Sequence, residues 1–260
     1  MSQPQKKKVS LLFKLIKPIV KFVYPKIELV GKEKLLDEPM IIVGNHTQMN
    51  GPLACEFYSA RERYTWSAGE MMHLKEVPAY AYKDFWSQKP KFSRPFYKIM
   101  SYLIAPLSVV VFNNANTIGV YRDKRIIKTF RETLMHLENG ADIVIFPEHD
   151  VKYNHILYEF EDKFIDVAKM HYKKSGKELA FIPLYIAPKL KKMYFGEPIR
   201  YCAENPIEEE RKRICKHLMD QITDIACALP EHTVVPYRNI PKRLYPSNKQ
   251  EVKNDEKTGS

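Results

Sequence analysis

Met40-Ile41-Ile42-Val43-Gly44-Asn45-His46-Thr47-Gln48-Met49-Asn50-Gly51-Pro52 is the stretch on which the reading of this chain turns. It opens with an unbroken apolar run that includes three β-branched residues. A run of that length, bounded by turn residues, reads as a strand buried on both faces. The run delivers directly into Asn45 and His46, so polar side chains emerge where a buried strand ends. Ligands gather at such strand ends in open α/β sheets. Pro52, tolerated at the first helical position, then opens a helix expected over residues 52–64.

The same alternation continues outward. Residues 27–30, 107–112, 118–121, 143–146, 179–186 and 192–195 read as further strands. Helices are expected over 124–138, 158–175 and 207–228. The first of these puts Ile126, Ile127, Phe130, Leu134 and Leu137 on one face and stops at Asn139-Gly140. Strands alternating with helices imply an α/β sheet flanked by helices. The stretch 78–106 differs in texture, mixing Pro78, Pro90, Pro95 and Pro106 with Tyr80, Tyr82, Phe85, Trp86, Phe92, Phe96, Tyr97 and Tyr102. Aromatics with polar tips suit an interface or an acyl-chain slot, and equally an irregular packed excursion. The organisation expected is an amphipathic helix over 1–25, one domain over 26–235 and a loose extension over 236–260.

The chain has 260 residues, 45% of them hydrophobic, enough for a core and too many for disorder as the main state. Pro 18 against Gly 9 excludes a collagen-like or Gly-rich repeat. The formal net charge is +11, and residues 1–30 alone hold seven lysines against the single acid Glu28. Such a bias calls for an anionic partner. Bulky Leu11, Leu12, Phe13, Leu15, Ile16, Ile19, Val20 and Phe22 between the lysines favour an anionic membrane lipid surface over nucleic acid. No membrane span is expected there, because Lys14, Lys17 and Lys21 interrupt the apolar run. The segment 99–112 reads as too short for a span and carries Pro106. A secretory leader is not expected, since no uncharged core and small-residue cleavage site succeed the basic start. Four cysteines (Cys55, Cys202, Cys215, Cys227) without a CxxC pair fit a reduced, cytosolic compartment.

Three polar clusters each come just after an expected strand. They are Gly44 to Pro52, Ile118-Gly119-Val120-Tyr121-Arg122-Asp123, and Phe146-Pro147-Glu148-His149-Asp150. With Ile182-Pro183-Leu184 they stand in an order that resembles the glycerolipid acyltransferase family typified by 1-acylglycerol-3-phosphate acyltransferases. The resemblance rests on Asn45-His46, Val120-Tyr121-Arg122, Phe146-Pro147-Glu148 and that final Pro183 strand, over roughly residues 25–200. It implies a glycerolipid acyltransferase-like fold, to which the basic amphipathic N-terminal helix read from the lysine pattern is joined. It also implies transfer of an acyl group from coenzyme A or an acyl carrier protein, as donor substrate rather than cofactor, to a lysophospholipid hydroxyl. The same likeness implies phospholipid biosynthesis at the cytoplasmic face of the membrane, as a peripheral protein.

The departures bear on the chemistry. The family Asp, five residues after the histidine, falls at Gly51. The Gly expected after Phe146-Pro147-Glu148 is His149, with Asp150 next. His46 as general base would take the acceptor proton. An Asp would normally fix its tautomer and stabilise the imidazolium, and Gly51 can do neither. Asn50 could bond the ring without charge, Glu148 or Asp150 could reach it from another loop, or His46 could be vestigial in a fold kept for binding lipid. The catalytic candidates are therefore His46, Glu148 and Asp150. Asn45, Asn50 and Arg122 are the substrate-binding candidates, Arg122 offering a planar fork for phosphate. Glu148, His149, Asp150 and His155 match no standard metal spacing, and no metal is expected.

Overall fold

The computed structural model describes residues 9–87 and 89–250. In chain order its first elements are α1 (Leu11–Val23), β1 (Glu28–Val30), β2 (Ile41–Gly44), α2 (Asn50–Tyr58), β3 (Arg63–Ala68) and α3 (Val77–Ala81). Next come α4 (Arg94–Asn114), β4 (Thr117–Val120), α5 (Ile126–Glu138), β5 (Asp142–Ile145), β6 (Glu148–Lys152) and β7 (Tyr158–Phe160). Last are α6 (Asp166–Ser175), β8 (Ala180–Ala187), β9 (Lys192–Phe195), β10 (Ile199–Arg200) and α7 (Ile207–Ala228). The fold is mixed α/β, with mostly parallel sheet flanked by helices. The chain divides into two units, each built from two segments. One comprises Met1–Lys26 and Arg61–Val144, the other Ile27–Ala60 and Ile145–Ser260.

In the first unit β3 is the middle strand, parallel to β4 on one side and to β5 on the other, with Thr65 opposite Thr117 and Arg63 opposite Asp142. Parallel neighbours need a crossover, and α5 supplies the one from β4 to β5. Two bonds fasten that helix to the strands. The Trp66 indole donates to Thr133 Oγ1 at 2.9 Å, and the Thr129 hydroxyl donates to the Gly119 carbonyl at 2.6 Å. β3 occupies the end of the stretch expected to be helical over 52–64, which turns out to stop at Tyr58. Its inward residues are Arg63 and Thr65, buried polar groups that mask a strand's usual apolar alternation.

A second correction concerns residues 107–112, expected as a strand and found within α4. The buried residues of α4 are Ser101, Ala105 and Ser108, a helical spacing of small side chains that lets the helix lie close to its neighbours. The Ser108 hydroxyl donates to the Met71 carbonyl at 3.0 Å, and the Asn113 amide donates to that of Met72 at 2.9 Å. These tertiary ties outweigh the β preference of Val109-Val110-Val111. Pro106 sits inside the helix without ending it. With the turn before it, residues 91–114 are long and apolar enough to cross a membrane by length and composition, contrary to the expected shortfall. α1 packs beside α4, where the Ser10 main-chain N–H donates to Asn114 Oδ1 at 2.7 Å and Phe13 is buried.

The second unit runs β1-β9-β8-β2, with β10 paired to the start of β8. β2 is parallel to β8, Ile41 facing Phe181 and Gly44 facing Leu184, and every residue of both strands is buried. α7 covers β8, and Arg211 of α7 grips Asp166 of α6 through Nε and Nη2. Residues 158–160, expected to begin a helix, form β7 of a hairpin with β6, and α6 starts only at Asp166.

Asn248 is one of the side chains that tie residues 236–250 back onto this unit. Asn248 is buried, its amide nitrogen donates to the Ala226, Leu229 and Pro230 carbonyls, and its Oδ1 accepts the His232 main-chain N–H at 2.7 Å. Residues 251–260 lie outside the described residues. Asn248→Ala would remove the partners of the His232 N–H and the Leu229 carbonyl, each buried orphan costing about 1–3 kcal/mol, while the Ala226 and Pro230 carbonyls keep Leu229 N–H and the His232 ring. A urea unfolding midpoint should fall by an amount equivalent to at least ~2 kcal/mol, whereas Asn248→Ala with an unchanged midpoint would show the anchor to be idle.

Candidate active site

β2 ends at Gly44, and the chain then reverses through His46, Thr47 and Gln48 into α2. Asn45 makes the reversal rigid. It is buried, its Nδ2 donates to the Ile186 carbonyl at 3.1 Å and its Oδ1 accepts the Ile186 N–H at 2.7 Å. Both ends of the carboxamide are thus engaged by the main chain of β8. Thr47 and Gln48 come next with φ of 46° and 56°, in the left-handed region that non-glycine residues enter at a cost. For a β-branched residue such as Thr47 that conformation is a genuine outlier. Strain of this kind costs about 1–3 kcal/mol per residue and concentrates at functional sites.

Glu148 reaches the same turn from the start of β6. Its Oε1 accepts the main-chain N–H of His46 at 2.6 Å, and its Oε2 accepts the main-chain N–H of Tyr158 at 2.9 Å. Burial pushes the carboxyl up to about 7, only partly offset by those two bonds. Glu148 therefore grips the backbone under His46 and does not touch its ring. Asp150, two residues on, is 80% exposed and pairs with Arg238 at 3.6 Å. Neither carboxylate meets the imidazole.

The ring meets two aromatic rings nearly at right angles, Phe146 at 5.4 Å and Tyr237 at 5.8 Å between centroids. Burial holds its pKa down to about 4, an effect the neighbouring Gln48 backbone offsets in part. At neutral pH the imidazole is uncharged and so has a lone pair to offer. Nδ1 of His46 and Oγ1 of Thr47 are buried and make no hydrogen bond of ordinary geometry among the described residues. Buried polar atoms without a well-formed hydrogen bond are rare, and they mark strain or function.

Gly51 explains the absent carboxylate. Its N–H donates to the His46 carbonyl at 3.2 Å, which draws the start of α2 tightly against the turn. A Cβ at this position would stand 2.5 Å from the His46 carbonyl oxygen and 3.1 Å from the Phe146 ring. No side chain fits there without moving backbone. Asn50 points elsewhere, its amide donating to the Thr47 carbonyl at 2.9 Å.

Arg122 belongs to the first unit, exposed just after β4. Arg125, three residues on, is the cation whose partners are defined. The Arg125 guanidinium lies 4.1 Å from the Tyr121 ring centroid and is engaged by Asp123 and Glu76. The Tyr121 hydroxyl meets His73 Nε2 at 2.9 Å. Among the described residues no cluster of His, Cys, Asp or Glu has the makings of a metal site, and all four cysteines are free. Sequence reasoning missed Tyr237, Arg238 and Tyr245, which approach the turn from residues expected to be loose. Nothing in their local pattern announces the contact.

The crowding at Gly51 can be measured. Gly51→Ala and Gly51→Asp should each destabilise the protein by about 1–3 kcal/mol, the usual cost of forcing atoms into filled space. Thermal unfolding checks this, and a Gly51→Asp protein as stable as the parent would contradict it. Glu148 should make stability depend on pH. A carboxyl whose folded pKa lies above its unfolded value of 4.5 takes up protons on folding, so its contribution to stability falls as pH rises from about 4.5 through about 7. Glu148→Gln removes that slope. Its stability relative to the parent should therefore climb across this window, by an amount on the order of 3 kcal/mol. Parallel denaturant titrations at pH 4, 5.5 and 8 measure it, and a flat difference would refute the assignment.

No family model matches the chain, and no curated protein matches it. Among solved structures, the chain is similar to the 1-acyl-sn-glycerophosphate (LPA) acyltransferase PlsC of Thermotoga maritima. The identity is 16% and the TM-score 0.43, over 86% of this chain and 84% of that one.

Proposed function

We propose that this protein transfers an acyl group from an acyl thioester to a hydroxyl of a lysophospholipid or related glycerolipid, with His46 as general base. The observation that carries this reading is the bond from the His46 main-chain N–H to Glu148. It joins the Asn45-His46 and Phe146-Pro147-Glu148 motifs in one site, with a neutral imidazole held at a strand end. A base needs an unprotonated nitrogen at working pH, and burial secures one. In this mechanism the acceptor hydroxyl gives its proton to the imidazole as its oxygen attacks the thioester carbonyl. The proton then passes to the departing thiolate. No carboxylate steadies the imidazolium, so orientation falls to the packed ring walls and the fixed backbone. A lower rate than a complete His–Asp pair would give is the consequence.

The proposed setting is an anionic membrane surface, with coenzyme A or an acyl carrier protein presenting the acyl group. Its support lies in the first unit. α1 leaves Leu15, Ile19 and Phe22 exposed, Phe22 by 91%, beside Lys14, Lys17 and Lys21. α4 leaves Phe96, Ile99, Tyr102 and Leu103 exposed. Exposed bulky side chains interleaved with lysines are what an interfacial helix needs to bury in a headgroup layer. A catalytically silent lipid-binding or scaffold protein is the second reading, favoured by the lack of room for a carboxylate at Gly51.

One assay separates the two. Purified protein is incubated with labelled acyl-coenzyme A or acyl carrier protein and lysophosphatidic acid in anionic vesicles. Transfer is expected, and His46→Ala should lower it by about 10²–10⁴-fold. Vesicle binding without transfer to any lysophospholipid acceptor would rule out the enzyme and support the silent binder.

A further inference from the structure

A segment near the end of the second unit lies across the turn that carries His46. Tyr237 sets its ring edge against the His46 imidazole at 5.8 Å and against Tyr158 at 5.7 Å. The next residue, Arg238, receives a hydrogen bond on its carbonyl from Gln48 Nε2 at 3.3 Å. The same nitrogen donates to the Tyr245 hydroxyl at 2.9 Å. Arg238 also pairs with Asp150 at 3.6 Å. Three residues of the segment thus touch His46, Gln48 and Asp150 of the strand-end motifs, and Tyr158 beside them. Beyond Tyr245, Asn248 fixes the segment to the end of α7.

We propose that residues 237–245 are a working part of the His46 site, with Tyr237 a positioning residue that fixes the imidazole plane against Phe146 and keeps water from it. The inference rests on His46 being the base of the reaction proposed above. It gives a strained turn a purpose. Gln48 enters the left-handed region and from there makes both bonds that pin the segment. The titratable and charged groups around the ring are few. Glu148 lies beneath, on the main-chain N–H, and Tyr237 lies alongside. Tyr158 meets the Tyr237 ring, and Asp150 pairs with Arg238, the residue after it. Removing the Tyr237 ring would open one wall and let the imidazolium be hydrated, so its titration reports the cover directly.

The test is an NMR titration of the full-length protein, with the His46 imidazole assigned by its loss in His46→Gln. In the parent the ring should stay neutral down to about pH 4. Tyr237→Ala should raise the midpoint by one unit or more toward the ordinary histidine value of about 6.5. Tyr237→Phe keeps the ring and should retain the parent midpoint. If Tyr237→Ala fails to fold, Tyr237→Leu carries the same expectation with a smaller shift. An unchanged midpoint in a folded variant without the aromatic ring would overturn the proposal. The acidic limb of the kcat/KM profile for acyl transfer should move by the same interval. A shifted midpoint with no acyl transfer in the parent would uphold the cover and discard the reaction. His46-dependent transfer with an unmoved midpoint in Tyr237→Ala would do the reverse.

Discussion

A single buried carboxylate holds the second unit's polar turn in place. Glu148 accepts the N–H of His46 on one oxygen and that of Tyr158 on the other, joining the end of β2 to the β6–β7 hairpin. Main-chain N–H groups at strand ends have lost their ladder partners, and burying them unpaired is expensive. Glu148 satisfies both with one side chain. The rest of the turn depends on that grip. With the His46 backbone fixed, Asn45 can span to Ile186, the chain can turn through two left-handed residues, and α2 can start against the His46 carbonyl.

The same constraint accounts for the odd composition of the site. A carboxylate at position 51, five residues after the histidine, would need space beside the turn. Here Phe146 and the His46 carbonyl fill that space, and glycine is what remains possible. The imidazole instead meets the rings of Phe146 and Tyr237, and burial holds its pKa down to about 4. Packing replaces a charge partner for orientation but cannot replace it for stabilising a developing positive ring.

Much of the framework was legible in the sequence because its signals are local. The apolar run ending at Asn45-His46 reads as a buried strand and α7 shows its inward stripe plainly, but the expected face of α5 held only in part, since Ile127 is exposed and Thr129 and Thr133 are buried beside Leu134 and Leu137. Errors arose where a distant partner overrides local preference. Val109 to Val111 favour a strand, yet Ser101, Ala105 and Ser108 commit them to a helix through contacts with residues near Met71. β3 escaped notice because its inward side chains are Arg63 and Thr65, whose burial makes sense only once β4 and β5 flank them. At the site, Glu148 and His46 could be named from their motifs, but not that Glu148 bonds a backbone N–H rather than a ring. Asp150 looked like a reserve carboxylate and faces solvent. Tyr237 was invisible because a stretch rich in proline and lysine gives no sign that Asn248 moors it.

The second unit is assembled from separated pieces of chain, and that shapes its birth on the ribosome. β2 is synthesised early, yet its neighbour β8 lies far along the chain, and the residues that roof His46 emerge later still. Long-range pairing of this kind closes slowly. During translation the histidine therefore spends its time hydrated and chargeable, like any surface histidine. Its neutrality is acquired only once Tyr237 has been made and packed beside it, so the state of the ring is a product of long-range folding rather than a property of the local motif.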